Sequence, residues 1–135
     1  MGIDAVAEVN LRVGEATVIG ATSPRGRFQA VFEDDGDTAY FYAVDNEAPE
    51  GSIQDALQIY NVASVVDRAK TSMVKIGWSS DGLKAVLLIN DFPHAVFDFQ
   101  ARQGSCRTGF PPPPSNGTWS VGGHSWIESA LGLFA

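Results

Sequence analysis

Alternation of apolar and polar residues predicts β-strands along most of the chain, most clearly between Met73 and Gln100. The string MVKIGWS alternates, the mostly apolar LKAVLLIN is typical of a central strand covered on both faces, and HAVFDFQ alternates again. Turn-forming residues separate the three strings, with Ser-Ser-Asp-Gly after the first and Asn-Asp after the second. We therefore expect these strands to form the centre of an antiparallel sheet.

Two further regions carry the same pattern. EVNLRV and ATVIGA predict strands near the N-terminus, while RFQAVFEDD and TAYFYAVD predict a hairpin that turns at Asp35-Gly36. In the second strand of this hairpin Tyr40 and Tyr42 share one face, and Phe41 and Ala43 share the other. Both faces of this strand are therefore expected to be at least partly covered.

Residues 53–66 fit two structures. Ile53, Ala56, Leu57 and Tyr60 keep helical spacing, with Ser52 at the N-cap position. The string ALQIYNV, however, is rich in β-favouring residues and contains an asparagine that is unfavourable inside a helix. The composition favours a strand over a helix here.

The composition changes after Gln100. ARQGSCRTGF carries little strand signal, a run of four prolines predicts an extended segment, and GTWSVGG predicts a short terminal strand. In HSWIESALGLF the spacing of Ser125 and Glu128 is that of a capping box, and Ile127, Leu131 and Phe134 form an apolar stripe. This string predicts a C-terminal α-helix.

These elements together predict an α+β fold in a single domain over residues 1–135. It is expected to be a mostly antiparallel β-sheet meander of about six to eight strands, with the C-terminal helix packed on it.

Composition narrows the class of protein. The chain is 44% hydrophobic and 19% charged, which is typical of a soluble globular protein. No apolar run approaches the roughly 20 residues of a membrane span, and the N-terminus has acids where a secretory signal has bases. Cys106 is the only cysteine, so the chain has no internal disulfide. These features predict a cytoplasmic protein.

The charge is unevenly distributed. The net charge of −7 argues against binding to nucleic acid. Nine acids and no Lys or Arg lie between Phe28 and Asp67, whereas the rest of the chain has seven acids and nine bases. The whole negative excess therefore belongs to one segment.

No constellation of residues predicts catalysis or a cofactor. Carboxylates such as those of EDDGD are ligands that Ca²⁺ and Mg²⁺ prefer, but an EF-hand would need a glutamate where Val44 stands, so a solvated hairpin tip is the favoured interpretation. His94 and His124 are the only histidines, which excludes a multi-histidine metal centre within one chain. Arg107 would stabilise a thiolate at Cys106, yet no nucleophile signature surrounds that cysteine. We predict no catalytic residue, metal or cofactor.

The strings VFEDDGDTAYFYAVD, DALQIYNV, IGWSSDGLKAVLLIN, PHAVFDF and CRTGFPPPP resemble a small bacterial family known as a domain of unknown function, from about Ala16 to Pro114. Its small, acidic, single-domain members resemble the immunity proteins that bacteria keep beside their toxins. The resemblance therefore implies a role in toxin neutralisation.

Charge and resemblance together predict a non-catalytic acidic protein that binds a basic partner, most concretely a co-encoded toxin whose active site it occludes. The predicted contact residues are the carboxylates of the hairpin tip and of the following loop: Glu33, Asp34, Asp35, Asp37, Asp45, Glu47 and Glu50. One alternative is a structural or regulatory homo-oligomer. Another is a small-molecule-binding protein or an enzyme with a pocket lined by Tyr40, Tyr42, Trp78 or His94. Acidity that serves only solubility is a third.

Overall fold

Nine β-strands form two antiparallel sheets in the computed structural model, which describes residues 3–48, 53–66, 69–113 and 117–134. In chain order the strands are β1 Ile3–Leu11, β2 Thr17–Thr22, β3 Phe28–Asp34, β4 Thr38–Asp45, β5 Ile53–Asn61, β6 Ser72–Ser79, β7 Lys84–Ile89, β8 Phe92–Asp98 and β9 Gln103–Cys106. Two 3₁₀ segments, Val62–Ser64 and Glu128–Phe134, complete the regular structure of these residues.

The strands divide between the sheets in two nearly consecutive sets. The four-stranded sheet has the order β2-β3-β4-β5, and the five-stranded sheet has the order β1-β6-β7-β8-β9. Only β1 breaks the consecutive order, because it pairs with β6, where Leu11 lies opposite Ser72. The two hairpins predicted around 28–45 and 73–100 are confirmed, and so is the strand assignment of β5.

The inner faces of the sheets pack on each other to form the main core. Phe41 stacks on Phe97 with ring centroids 5.0 Å apart, which joins β4 to β8. Trp78 is fully buried, and its indole N–H donates to the Ala21 carbonyl across the two sheets at 3.2 Å. The indole therefore buries its ring and satisfies its one polar group at the same time.

The central strand β7 is covered on both faces, as its apolar sequence predicts. Ala85 and Leu87 point into the main core, whereas Val86 belongs to a second cluster on the outer face. Trp126 and Leu131 of the C-terminal segment pack on that second cluster. The chain end therefore covers the outer face of the five-stranded sheet at β7 and β8.

The predicted α+β class with a C-terminal α-helix is wrong. The described residues are almost entirely strand and turn, and the C-terminal segment is the 3₁₀ turn Glu128–Phe134. Gly132 lowers the helix propensity, and a helix this short is marginal without strong packing. The residues that pack are Trp126, Ala130 and Leu131, while Ile127 of the predicted stripe is 42% exposed.

Two other differences lie in the same part of the chain. The short strand β9 carries no clear alternation and was not expected, yet it pairs with β8 through four residue pairs from Asp98–Gln103 to Ala95–Cys106. The strand expected at GTWSVGG does not form. The structure describes all of this string, residues 117–123, and it consists of turns and bends. Among the described residues, no helix is long and apolar enough to cross a membrane.

Candidate interaction surface

The outward-facing residues of the four-stranded sheet form three rows that cross its strands. Cross-strand pairing places Val18, Glu33, Tyr40 and Gln58 in the first row, Gly20, Val31, Tyr42 and Ala56 in the second, and Thr22, Gln29, Val44 and Ile53 in the third. All of these residues are half-buried or exposed, whereas their neighbours along each strand face the core. We call this surface the tyrosine face.

A pair of tyrosines lies at the middle of the tyrosine face. The rings of Tyr40 and Tyr42 stack with centroids 5.9 Å apart and an interplanar angle of 11°. Partial burial raises the pKa of Tyr42, and the nearby charge of Glu33 raises it further. The stack therefore presents apolar ring surface beside one carboxylate.

The β3–β4 hairpin tip borders the first row of the tyrosine face. The Asp35 carboxylate accepts backbone N–H bonds from Thr38 at 3.0 Å and from Asp37 at 2.9 Å, and both bonds lower its pKa. Gly36 occupies the turn with φ of +102°, a conformation that glycine adopts without strain. Asp35 and Asp37 are both exposed, so the tip places two carboxylates beside Glu33.

Asp34 faces the interior. It is fully buried and accepts hydrogen bonds from the Gly14 N–H at 2.8 Å, the Gly36 N–H at 2.9 Å and the Tyr60 hydroxyl at 2.6 Å. Burial and this hydrogen bond raise the pKa of Tyr60. The structure therefore places Asp34 as an anchor that joins β3, β5 and the β1–β2 turn, and it places no part of this carboxylate on the surface.

Asp45 and Glu47 lie at the opposite end of β4 from the hairpin tip. Eight strand residues at a rise of about 3.3 Å separate the two ends by roughly 23 Å. Asp45 is nearly buried and forms a two-point ion pair with Arg27, at 3.0 and 2.9 Å, which lowers its pKa against the opposing effect of burial. Glu47 is exposed, and Glu50 lies outside the described residues.

The predicted contact set therefore divides into three. Glu33, Asp35 and Asp37 lie together at the tip, Asp34 is an internal anchor, and Asp45 and Glu47 lie at the far end of the sheet.

Comparison with known proteins gives the family. Residues 11–135 match the model of DUF2251, a family described as an uncharacterized protein conserved in bacteria. The chain belongs to the DUF2251 family.

A relative of this DUF2251 chain occurs in Haemophilus influenzae and is described as an uncharacterized protein. The two are 41% identical over 93 residues, which is 69% of this chain and 58% of the relative. The chain thus spans less than two thirds of the length of the relative that it matches. No solved structure matches the chain.

The chain also contains a buried polar cluster that was not predicted from its sequence. The His124 Nε2 lies 2.9 Å from Oδ1 of Asp55, and the Ser120 hydroxyl donates to Oδ2 of Asp55 at 2.6 Å. The other ring nitrogen of His124 bonds to the Pro111 carbonyl. Alternation along β5 offered one signal, because Asp55 shares the inward-facing register of Leu57 and Ile59 and must therefore find a buried partner.

The cluster does not have the geometry of a catalytic triad. Both the serine hydroxyl and the imidazole bond to the carboxylate, whereas a triad needs the serine to bond to the imidazole. Ser120 also accepts the Gly104 N–H at 2.8 Å, and all three side chains are buried. Burial alone would lower the pKa of His124, but its bonds to Asp55 and the Pro111 carbonyl raise it overall. The cluster joins β5 of one sheet to the loop beside β9 of the other.

The remaining candidates of the DUF2251 chain lie apart from one another. Cys106 belongs to the inner core, with Sγ 3.4 Å from the Thr108 hydroxyl, while His94 lies half-buried on the other face of the sheet against Phe92. Burial and the charge of Arg107 lower the pKa of His94. Within the described ranges no group of three or more metal-binding side chains occurs.

The four residues named for a small-molecule pocket do not share one. Trp78 is a core residue, Tyr40 and Tyr42 lie on the tyrosine face, and His94 lies on the opposite sheet. These four side chains therefore do not meet at one place in the fold.

Proposed function

We propose that this protein is a non-catalytic binding protein that docks a basic protein partner on the tyrosine face and the adjoining hairpin tip. The observation that carries the proposal is the contrast between the two outer faces. The C-terminal segment covers the outer face of the five-stranded sheet around Val86 and Val96, whereas Val18 and Ile53 on the tyrosine face remain 67% and 57% exposed. A sheet face that combines exposed aliphatic and tyrosine side chains with polar ones is typical of a protein-binding surface.

The composition of the tyrosine face fits a protein partner. Tyrosine rings contribute large contact areas and lose little conformational entropy on binding, which is why tyrosine is enriched at binding hot spots. The Tyr40–Tyr42 stack is central in the face, and Glu33 is the charged residue next to it. We expect the two rings to contribute most of the affinity.

The hairpin tip supplies charge selectivity. Asp35 and Asp37 project at the edge of the tyrosine face, where they accelerate association with a cationic surface and disfavour an anionic one. Most concretely, the protein has an immunity function. Its partner is a co-encoded toxin whose basic active-site cleft receives the acidic tip.

The test is co-expression of the protein with the product of each adjoining gene, followed by co-purification and a growth assay. We expect one neighbour to be toxic alone and harmless with the wild-type protein. Tyr40→Ala with Tyr42→Ala, and separately Asp35→Lys with Asp37→Lys, should each abolish co-purification and protection. Glu47→Lys is the matched control at the other end of the sheet and should retain both.

Several outcomes would contradict the proposal. Binding that the tip and tyrosine variants leave unchanged at low salt would remove the surface assignment. A stable homodimer that depends on Tyr40 and Tyr42 would assign the face to self-association. A partner that binds without being toxic would retain the docking surface and remove the immunity function.

A further inference from the structure

The strands at the ends of the two sheets, β1, β2, β5 and β9, differ in how their free edges are protected. A free edge exposes backbone N–H and C=O groups that can pair with another chain, and native proteins usually cover it or interrupt it with charges and bulges. On β5, the Gln58 N–H donates to the Phe110 carbonyl at 2.8 Å, and the Gln58 carbonyl accepts the Thr108 hydroxyl at 2.6 Å. On β9, the Cys106 N–H donates to the His124 carbonyl at 3.0 Å. The edges of β5 and β9 are therefore both covered by the chain itself.

The two remaining edge strands contrast with each other. In β1 the register shifts between Ala5 and Ala7, and Glu8 and Asn10 are exposed polar residues farther along the strand. A break in register and a charged side chain are both devices that protect an edge. The β2 sequence TVIGAT has no charged residue and no proline, and its pairing with β3 is regular throughout. Among the edge strands of the described residues, β2 is thus the one that lacks these protective features.

The hydrogen-bond pattern shows which β2 residues direct their backbone groups to the open edge. The Ser23 N–H donates to the Phe28 carbonyl at 2.8 Å, and hydrogen-bonded pairs alternate along an antiparallel ladder. Successive residues of β2 therefore alternate between bonding to β3 and facing the open edge, and those that face the edge are Val18, Gly20 and Thr22. All three are exposed, and their N–H and C=O groups form no hydrogen bond with a described residue.

The two ends of β2 carry opposite charges. Glu15 precedes the strand and Arg25 follows it; both are exposed, and neither forms an ion pair with a described residue. Antiparallel pairing of β2 with a second copy, centred on Gly20, uses every edge-facing residue, because Val18 then lies opposite Thr22 of the second copy. The same register brings Glu15 of each copy to the end of the ladder where Arg25 of the other lies. The strand is therefore complementary to itself in charge as well as in hydrogen bonding.

We propose that β2 is a dimerisation edge, at which two copies of this chain pair antiparallel about Gly20 and join their four-stranded sheets into one continuous sheet. Each edge-facing residue exchanges N–H···O bonds with the residue opposite, and main-chain bonds of this kind supply the affinity in strand addition. The acidic hairpin tips of the two copies point to opposite ends of the joined sheet, so they do not oppose each other. The tyrosine face stays uncovered, and the inference does not depend on the docking proposal.

Sedimentation equilibrium of the purified protein from about 5 µM to about 500 µM tests for the dimer. We expect a reversible monomer–dimer equilibrium with a micromolar Kd, because a single strand pair buries less surface than a standard interface. Amide hydrogen exchange locates the contact. The N–H groups of Val18, Gly20 and Thr22 should exchange at least about tenfold more slowly at the high than at the low protein concentration. A monomer throughout this range, or a dimer in which these amides exchange unchanged, would overturn the proposal.

Val18→Pro removes an edge N–H that β3 does not use, and proline is tolerated at such a position of an edge strand. This variant should keep a cooperative urea transition while its dimer affinity falls at least about tenfold. Val18→Thr keeps the N–H and is the matched control, which should dimerise as the wild type does. If Val18→Pro does not fold, Thr22→Pro makes the same test at the other end of the ladder. A folded proline variant that dimerises with wild-type affinity would contradict pairing through β2.

Charge exchange tests the register. Glu15→Arg and Arg25→Glu should each weaken the dimer by about threefold or more at low salt, since each places like charges at both ends of the ladder. The Arg25 side chain donates only a long bond, 3.4 Å, to the Asp81 carbonyl, so its replacement leaves the fold intact. The double variant has opposite charges at both ends again and should recover wild-type affinity. Failure of this recovery would overturn the register about Gly20, and a dimer that Tyr40→Ala abolishes would assign the contact to the tyrosine face.

Discussion

The His124 imidazole and the Asp55 carboxylate form a buried hydrogen-bonded pair, with Nε2 2.9 Å from one carboxylate oxygen and 3.0 Å from the other. Because Nδ1 meets the Pro111 carbonyl, which can only accept, both ring nitrogens donate when the imidazole is protonated. The protonation state of His124 therefore affects the contact that holds β5 of one sheet against the loop beside β9 of the other.

We expect the stability of the protein to fall as the pH rises through the folded-state pKa of His124. That pKa is raised, so the folded chain holds the proton more tightly than the unfolded chain. The stabilisation is complete below about pH 6.5, the unfolded value, and is lost above the folded value. Urea unfolding between about pH 6 and about pH 8 measures the slope.

The contribution of His94 to the pH dependence of stability must be removed from that experiment. Its pKa is lowered, so its contribution is present above the unfolded value and is lost as the pH falls, in the opposite direction. The comparison is therefore made in a His94→Gln background, with His124→Gln added. A slope that remains the same after His124→Gln would contradict the assignment.

Asp34→Ala should lower the free energy of unfolding by about 3 kcal/mol or more, since three donors lose their acceptor in a buried site. The donors are the Gly14 and Gly36 N–H groups and the Tyr60 hydroxyl. Asp37→Ala, at an exposed carboxylate that accepts no hydrogen bond from the described residues, should change it by less than about 0.5 kcal/mol. Equal effects in urea unfolding would show that Asp34 is not an anchor.

Leu131→Ser should lower the free energy of unfolding by about 1–2 kcal/mol, because the 3₁₀ segment covers Val86 and Val96 on the outer face of the five-stranded sheet. Val121→Ser is the control, since Val121 is 78% exposed, and it should stay within about 0.5 kcal/mol of wild type. If the two variants were equally stable, the chain end would not be part of the fold.

Asp81 should contribute to stability against acid. Hydrogen bonds from the Ser79 hydroxyl, the Leu83 N–H and the Lys84 ammonium lower its pKa to about 2. A lowered folded-state pKa means that the contribution is present above the unfolded value of 3.8 and is lost as the pH falls toward about 2. Asp81→Asn should flatten the acid limb of an unfolding titration, whereas Asp37→Asn should retain its steepness.

Alternation identified the strands wherever one face of a strand is buried and the other is wet. It succeeded for β3, β4 and β6 because Phe32, Phe41 and Val74 are inward residues with half-buried neighbours. It could not show that the strands divide into two sheets, because the division depends on the long-range pairing of β1 with β6. The 3₁₀ turn at the C-terminus was missed because apolar contacts with Val86 and Val96 determine its conformation.

The residues of the candidate sites also divide into those whose exposure the local sequence predicts and those whose environment depends on the fold. The exposure of Asp35 and Asp37 follows from local turn chemistry, which the sequence DDGD shows directly. The burial of Asp34 and the pairing of Asp45 with Arg27 do not follow from local turn chemistry, because each depends on strand register.

The exceptional pairing of β1 has a consequence for the order of events on the ribosome. Strands β2 to β5 pair with one another in chain order, so that sheet is expected to form as it emerges, through local hairpins. Of the nine strands described, β1 is synthesised first, and it must wait until Ser72–Ser79 has been made before it has this partner. Until then β1 is an unpaired strand edge, and a nascent chain that is stalled before β6 should be the form most prone to aggregation.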